Sequence, residues 1–250
     1  MSGELLLALD AGTGSCRAVL FGTDGSQVAM AQREWSHGAM PGVPGSQVFD
    51  TETNWTLIAE CVRQVLAQSG VDASAIRAMS TTSMREGMVL YDKAGRELWA
   101  CPNVDSRAGV EATQLVERGL AETIYRHGGD WVAITAPARL LWVHRHEPEL
   151  FAKVAHMNML ADWITHRLTG EFVTDPSIGS SSGMFDLARR SWSAEVVDIC
   201  EMDMGVFPSV LAPGTIAGVL SAAAAAATGL RPGTPVVVGG ADTQLGLVGI

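Results

Sequence analysis

Basic residues are scarce: 17 Lys and Arg stand against 27 Asp and Glu, a net charge of −10. No basic stripe runs along the chain. That argues against an extended nucleic-acid surface, since a phosphate backbone is held by clustered cations, although a single nucleotide needs only a local site. Cysteine is scarcer still. Cys16, Cys61, Cys101 and Cys200 lie far apart with no paired spacing, so neither a disulfide framework nor structural zinc is expected, and reduced thiols fit a cytoplasmic protein. The six histidines form no metal signature. Long apolar runs are missing as well: the stretch after Met1-Ser2-Gly3-Glu4 is cut by Asp10, has no basic region before it, and does not read as a signal peptide. The alanine run 222–227 is too short for a bilayer and reads as a helix interior. A soluble chain with no membrane partner is expected, without internal repeats or a disordered linker.

What the chain does have is a core. Hydrophobic residues make up 47% of its 250 positions and charged ones 18%, enough for one large domain or two small ones. The organising stretch is 5–17. An apolar run of strand length ends on Asp10, a turn with two glycines and two hydroxyls follows, and Ala18-Val19-Leu20-Phe21 is strand-like again. Glycines let the backbone approach an anion, exposed N–H groups bind phosphate oxygens, and Thr13 and Ser15 add hydroxyl donors. An acid at the strand end suits a hydrated magnesium ion; the plain alternative is a hairpin turn capped by Asp10.

A third strand over 27–32 follows the Asp24-Gly25 turn and makes an antiparallel meander. Asp50 or Thr51 caps a helix whose apolar face holds Trp55, Ile58, Ala59, Val62, Val65 and Leu66, and Gly70 ends it. Strands over 76–83 and 88–91 flank Arg85-Glu86, an opposite-charge pair in an apolar setting. Ser106 is expected to cap a helix to about Arg118, and Pro137 to open another. Shorter helices over 149–154 and 161–168 surround a strand at 156–160, and a further helix lies near 194–200. Gly170, Pro176 and the tract 179–183 mark loops. A buried strand over 235–240 stops at Ala241-Asp242-Thr243-Gln244, a second acid at a strand end. Strands and helices mixed in this way predict an α/β core. The chain stops mid-pattern, which predicts a fragment of a longer protein.

Four stretches, in order over essentially all 250 residues, resemble the FGGY carbohydrate kinases. Asp10 to Arg17 is similar to their opening phosphate loop, and Pro137-Ala138-Arg139-Leu140-Leu141-Trp142 to their helical signature. Asp162-Trp163-Ile164 with Leu168-Thr169-Gly170-Glu171 and Thr174-Asp175-Pro176 is the third match, and Gly239-Gly240-Ala241-Asp242-Thr243-Gln244 resembles the strand end that carries the family's catalytic acid. The resemblance implies a ribonuclease-H-like domain of the actin and hexokinase ATPase type, a mixed sheet with flanking helices. Residues 1–250 would be the N-terminal, substrate-binding and catalytic-base domain, with the C-terminal ATP-binding domain outside the chain.

The resemblance also assigns roles. Asp242 is the base, and Asp10 holds Mg²⁺ through water. Gly12, Thr13, Gly14 and Ser15 hold the phosphates of ATP, and Arg17 reaches the γ-phosphate. Arg85 and Glu86 bind substrate hydroxyls, with Asp105 and Gln244 lining the same pocket; a helix-capping role for Asp105 is the alternative. Ser83 to Gly87 and Asn103 to Arg107 look most like the autoinducer-2 kinase branch, with Asn103 where many members stack an aromatic residue. That implies ATP-dependent phosphorylation of the linear autoinducer-2 precursor, a dihydroxypentanedione, in quorum-sensing signal processing. The alternatives are a pentulose or polyol kinase of xylulose, ribulose or glycerol type and, for the chain alone, a non-catalytic actin-like ligand-binding domain. Trp55, Trp142 and Trp163 are expected in the core, and Asp175-Pro176 in a turn.

Overall fold

In the computed structural model, residues 3–249 are described. Leu5–Ala11 (β1) buries Leu5, Leu7, Leu9 and Ala11 and turns Leu6, Ala8 and Asp10 to the other side, the period of two that makes a half-buried strand. Ser15–Gly22 (β2) and Gln27–Glu34 (β3) follow antiparallel, as the meander predicts. Thr51–Ser69 (α1) starts where the Asp50 carboxylate accepts the Thr53 N–H at 3.0 Å, and stops at Gly70 with φ +64°. Ile76–Ser83 (β4) then lies parallel to β1.

Met88–Tyr91 (β5) and Glu97–Cys101 (β6) form a hairpin. Gly109–Glu117 (α2), Leu120–Gly128 (α3), Ala136–His146 (α4) and Pro148–Phe151 (α5) lead to His156–Met159 (β7), which completes a three-stranded sheet in the order β6-β5-β7. Leu160–Thr169 (α6), Val173–Thr174 (β8), Pro176–Ser181 (α7), Phe185–Asp186 (β9), Ser191–Trp192 (β10), Ala194–Ile199 (α8) and Ser209–Val210 (β11) follow. The chain then returns to the main sheet through Ile216–Val219 (β12), Ala222–Thr228 (α9) and Pro235–Ala241 (β13), and continues into Asp242–Val248 (α10). The main sheet is six-stranded and mixed, in the order β12-β13-β4-β1-β2-β3, with β13, β4 and β1 parallel.

Two apolar cores result. The first joins the inner face of the six-stranded sheet to α1, α6 and α9 and holds the buried Trp163; the second joins the three-stranded sheet to α2, α4 and α8 and holds Trp142. Trp55 is only partly buried against the first. The outer face of the main sheet is open, and Leu6 (42% exposed), Ala8, Phe21, Ala78 and Val237 line a groove of about 440 Å³ there. No helix among the described residues is long and apolar enough to cross a membrane.

Three expectations fail. Ser106 caps no helix, because its hydroxyl donates to the Gly45 carbonyl at 3.3 Å and α2 begins only at Gly109. The tract 179–183 is not all loop, and Asp175-Pro176 is not a simple turn: Asp175 accepts the N–H groups of Ser177 and Ile178, Pro176 fills the first helical position, and α7 runs to Ser181. The strand β6 and the helix α3 are additional to the elements that the sequence pattern predicts.

Candidate active site

The parallel strands β1, β4 and β13 end level with one another. Ala11 pairs with Ser83, and Ser83 with Ala241, while the Met84 N–H reaches back to the Ala11 carbonyl at 2.8 Å. Asp10 sits just before that level on β1, and Asp242 just after it, as the first residue of α10. With β4 between them, two strand spacings, roughly 10 Å, separate the two chain paths. The edge also lies where the cores meet, since Met84 belongs to the first and Ala241 to the second.

The acids share one electrostatic field. Burial raises Asp10 above the ordinary carboxylate range, Arg17 opposes this and repulsion from Asp242 adds to it. Burial likewise raises Glu86, with Arg85 opposing and with Asp130 and Asp242 adding repulsion. Asp242 thus lies within electrostatic range of both Asp10 and Glu86.

The loop between β1 and β2 is fixed from beneath. Trp35 Nε1 donates to the Gly12 and Thr13 carbonyls at 3.1 Å each, His37 Nε2 donates to the Thr13 carbonyl at 2.9 Å, and the Gly12 N–H bonds Ser15 O at 2.9 Å. Among the described residues the N–H groups of Thr13 and Gly14 have no acceptor. A rigid turn with two unused amides is suited to anionic oxygens. Arg17 stands across the strand pair from Asp10, with its Nη1 3.5 Å from the carboxylate and its Nε donating to Gln32 Oε1 at 3.0 Å.

Arg85 and Glu86 follow the end of β4 at this edge. Gly87 N–H closes onto Arg85 C=O at 2.7 Å, so Glu86 forms the apex of a three-residue turn at φ +60°, a strained conformation of the kind concentrated at functional sites. Arg85 faces Glu86 at 3.3 Å and Asp130 at 3.1 Å. Behind the turn, Arg139 is 1% exposed and donates to the carbonyls of Glu86, Asn103 (2.9 Å) and Asp105 (2.7 Å). Asn103 Nδ2 in turn donates to Thr13 Oγ1 at 3.0 Å, which ties this region to the loop between β1 and β2.

Asp105 requires correction. Its side chain is 0% exposed, and its Oδ2 accepts Arg107 Nε at 2.8 Å and the Gln47 N–H at 2.6 Å. It is a buried anchor behind the site, not a surface that a substrate can touch. Gln244 is half-buried on α10 and takes the Thr243 hydroxyl at 2.6 Å. Asp130 and Arg139 were missed as site residues. A lone arginine in an otherwise apolar helical stretch was the available signal for Arg139, because a cation there must find buried acceptors.

A further carboxyl lies behind the strand ends. Asp162 is buried, its Oδ2 has no hydrogen-bond partner among the described residues, and burial raises it well above the ordinary range, with Asp175 adding repulsion. An acid raised in the fold keeps its proton there but loses it in the unfolded chain, so it removes stability as pH rises above the unfolded value of about 3.9. Asp162→Asn is therefore expected to raise Tm near neutrality by about 2–4 °C, the response of a domain this size to roughly 1 kcal/mol. The gain should vanish below a pH of about 4. Thermal melts across that range check it, and a Tm gain independent of pH would refute it.

Comparison with known proteins agrees with this architecture. The autoinducer-2 kinases of Yersinia enterocolitica serotype O:8 and Yersinia pseudotuberculosis serotype O:3 are each 44% identical over 252 aligned positions, covering 100% of this chain and 48% of their own length. The chain thus spans about half the length of the curated relatives it matches. The solved xylulose kinase of Rhodospirillum rubrum superposes on 96% of the chain and 49% of its own, with TM-score 0.87 at 28% identity. Plasmodium falciparum glycerol kinase, solved with ADP, matches 99% of the chain and 50% of its own with TM-score 0.88 at 18% identity, a likeness of fold alone. The mixed sheet with flanking helices is the actin- and hexokinase-like ATPase fold of these kinases. The family model for the N-terminal domain of the FGGY family of carbohydrate kinases matches residues 5–249, and the chain belongs to that family.

Proposed function

We propose that this chain is the acceptor-binding, catalytic-base half of an ATP-dependent kinase that phosphorylates a hydroxyl of a small sugar or sugar-like polyol. The convergence of Asp10, Glu86 and Asp242 at one strand edge, beside a loop with two unused amides, carries the reading. Transfer of a phosphoryl group to an alcohol needs an aligned acceptor oxygen, compensation for phosphate charge and a destination for the hydroxyl proton. Asp242, on the first turn of α10, takes that proton. Thr13 and Gly14 offer N–H groups to phosphate oxygens, Gly12 and Ser15 shape the turn, and Arg17 supplies a positive charge held in place by Asp10 and Gln32.

Asp10 keeps 30% of its side chain exposed, and a hard oxygen donor next to a second carboxylate fits a hydrated Mg²⁺, whose charge would offset that of the phosphates. Arg85 and Glu86 provide a donor and an acceptor for substrate hydroxyls. Asn103 beside Thr13 favours a polar acceptor, and the names of the 44%-identical relatives favour the linear autoinducer-2 precursor. The adenosine contacts are assigned to the half of the relatives' length that this chain does not span, and the reaction to the cytoplasm. Titration calorimetry of the 250-residue chain should show binding of the linear precursor and weak binding of Mg·ATP. Tight Mg·ATP binding without any acceptor binding would refute the assignment.

A further inference from the structure

The ladder between β13 and β4 is interrupted just before the last residues of β13, where Gly240 and Ala241 pair again with Thr82 and Ser83. The register with β4 shifts between Val237 and Gly240, and a Cβ at Gly239 would come within 2.0 Å of the Thr81 carbonyl oxygen. Hydroxyls from β4 bridge the irregularity: Ser80 Oγ donates to the Val237 carbonyl at 3.1 Å, and Thr82 Oγ1 to the Gly240 carbonyl at 2.7 Å. The other polar atom of that same peptide unit, the Ala241 N–H, donates to Ser177 Oγ at 2.9 Å. Ser177 gives its hydroxyl proton to Asp175 Oδ2 at 2.8 Å, and its backbone N–H bonds the same oxygen at 2.7 Å. With its proton committed, the serine oxygen serves as acceptor. Asp175 is itself 2% exposed and so cannot exchange these partners for water.

A peptide unit is planar, so fixing both its oxygen and its hydrogen fixes the orientation of the chain on either side. The next residue is Asp242. We propose that Thr82 and Ser177, with Asp175 behind the serine, are positioning residues that aim the Asp242 carboxylate by clamping the peptide between Gly240 and Ala241. The inference rests on the reading of Asp242 as the base, and it gives the Thr174-Asp175-Pro176-Ser177 stretch a task beyond starting α7.

Residue-resolved hydrogen exchange on the 250-residue chain tests the clamp, with binding of the linear autoinducer-2 precursor as a second readout. Ser177→Ala should speed exchange at Ala241 and the first amides of α10 about five- to tenfold, leaving β1 and β2 amides unchanged. Ser177→Thr, which keeps the hydroxyl, should restore protection, and Thr82→Val should loosen the same amides through the carbonyl side. Unchanged exchange there, or an equal rise over the whole sheet, would overturn the proposal. Ser177→Ala should also weaken precursor binding about threefold, with no further loss in an Asp242→Asn background; equal losses in both backgrounds would reject action through Asp242. If the unmodified chain binds no precursor, the kinase reading fails, and the exchange pattern still decides the clamp by itself.

Discussion

Asp242→Asn is expected to lower phosphoryl transfer by about 10²–10⁴-fold while changing acceptor affinity by no more than roughly fivefold. The amide is nearly the shape of the carboxylate and still accepts a hydrogen bond from the acceptor hydroxyl, but it cannot take the proton. The loss equals about 2.7–5.5 kcal/mol of transition-state stabilisation, all of it in the chemical step. Asp242 is the acid at this edge that is free for the task. Asp10 faces the Arg17 guanidinium at 3.5 Å and Glu86 faces Arg85 at 3.3 Å, whereas Asp242 has no cationic partner among the described residues and accepts only the Thr243 N–H. Transfer can be measured on the chain joined to the C-terminal half of a 44%-identical relative, and affinity by calorimetry on the chain alone. Transfer that survives the substitution, or affinity lost in step with it, would remove Asp242 from the role.

The strand ends were legible in the sequence because each is an apolar run interrupted by an acid. Burying Leu7, Leu9 and Val236 leaves a carboxylate within one residue of each strand's end, at the mouth of the sheet, and the periodicity that marks the strand also marks where that acid falls. What could not be read was how separate segments meet. Asp105 beside Ser106 has the local pattern of a helix cap or a cleft acid. Its actual partners are Arg107, wedged 5.0 Å from both the Trp99 and Trp142 rings, and the backbone of Gln47, far back in the chain. Asp175-Pro176 carries a helix-start signal, but the glycine and serines after it argue locally for a loop. The helix persists because Gly179 packs directly against the Phe185 ring, a contact with no sequence signature at that spacing. The convergence of Arg85, Glu86 and Asp130 is likewise a product of tertiary structure, since Asp130 follows α3, a helix that periodicity did not reveal.

Arg139→Met is expected to destabilise the chain by about 3–5 kcal/mol, a fall in Tm of about 6–20 °C. The methionine fills much of the volume, so the cost is electrostatic. It strands the carbonyls of Glu86, Asn103 and Asp105 in the interior and leaves the buried Asp105 carboxylate with Arg107 as its sole cationic neighbour. Arg139→Lys should recover only part of this, because a single ammonium cannot bond three carbonyls on two separate loops as a planar guanidinium does. The same three bonds hold Glu86 at φ +60° and set Asn103 against the loop between β1 and β2, so acceptor affinity should fall further than stability alone explains. Leu9→Ala supplies the comparison: a cavity in the first core costs a similar 2–5 kcal/mol without touching those loops. If both variants are assayed well below their melting temperatures, only Arg139→Met should weaken acceptor binding. Equal affinities in the two would reduce Arg139 to one more buried residue.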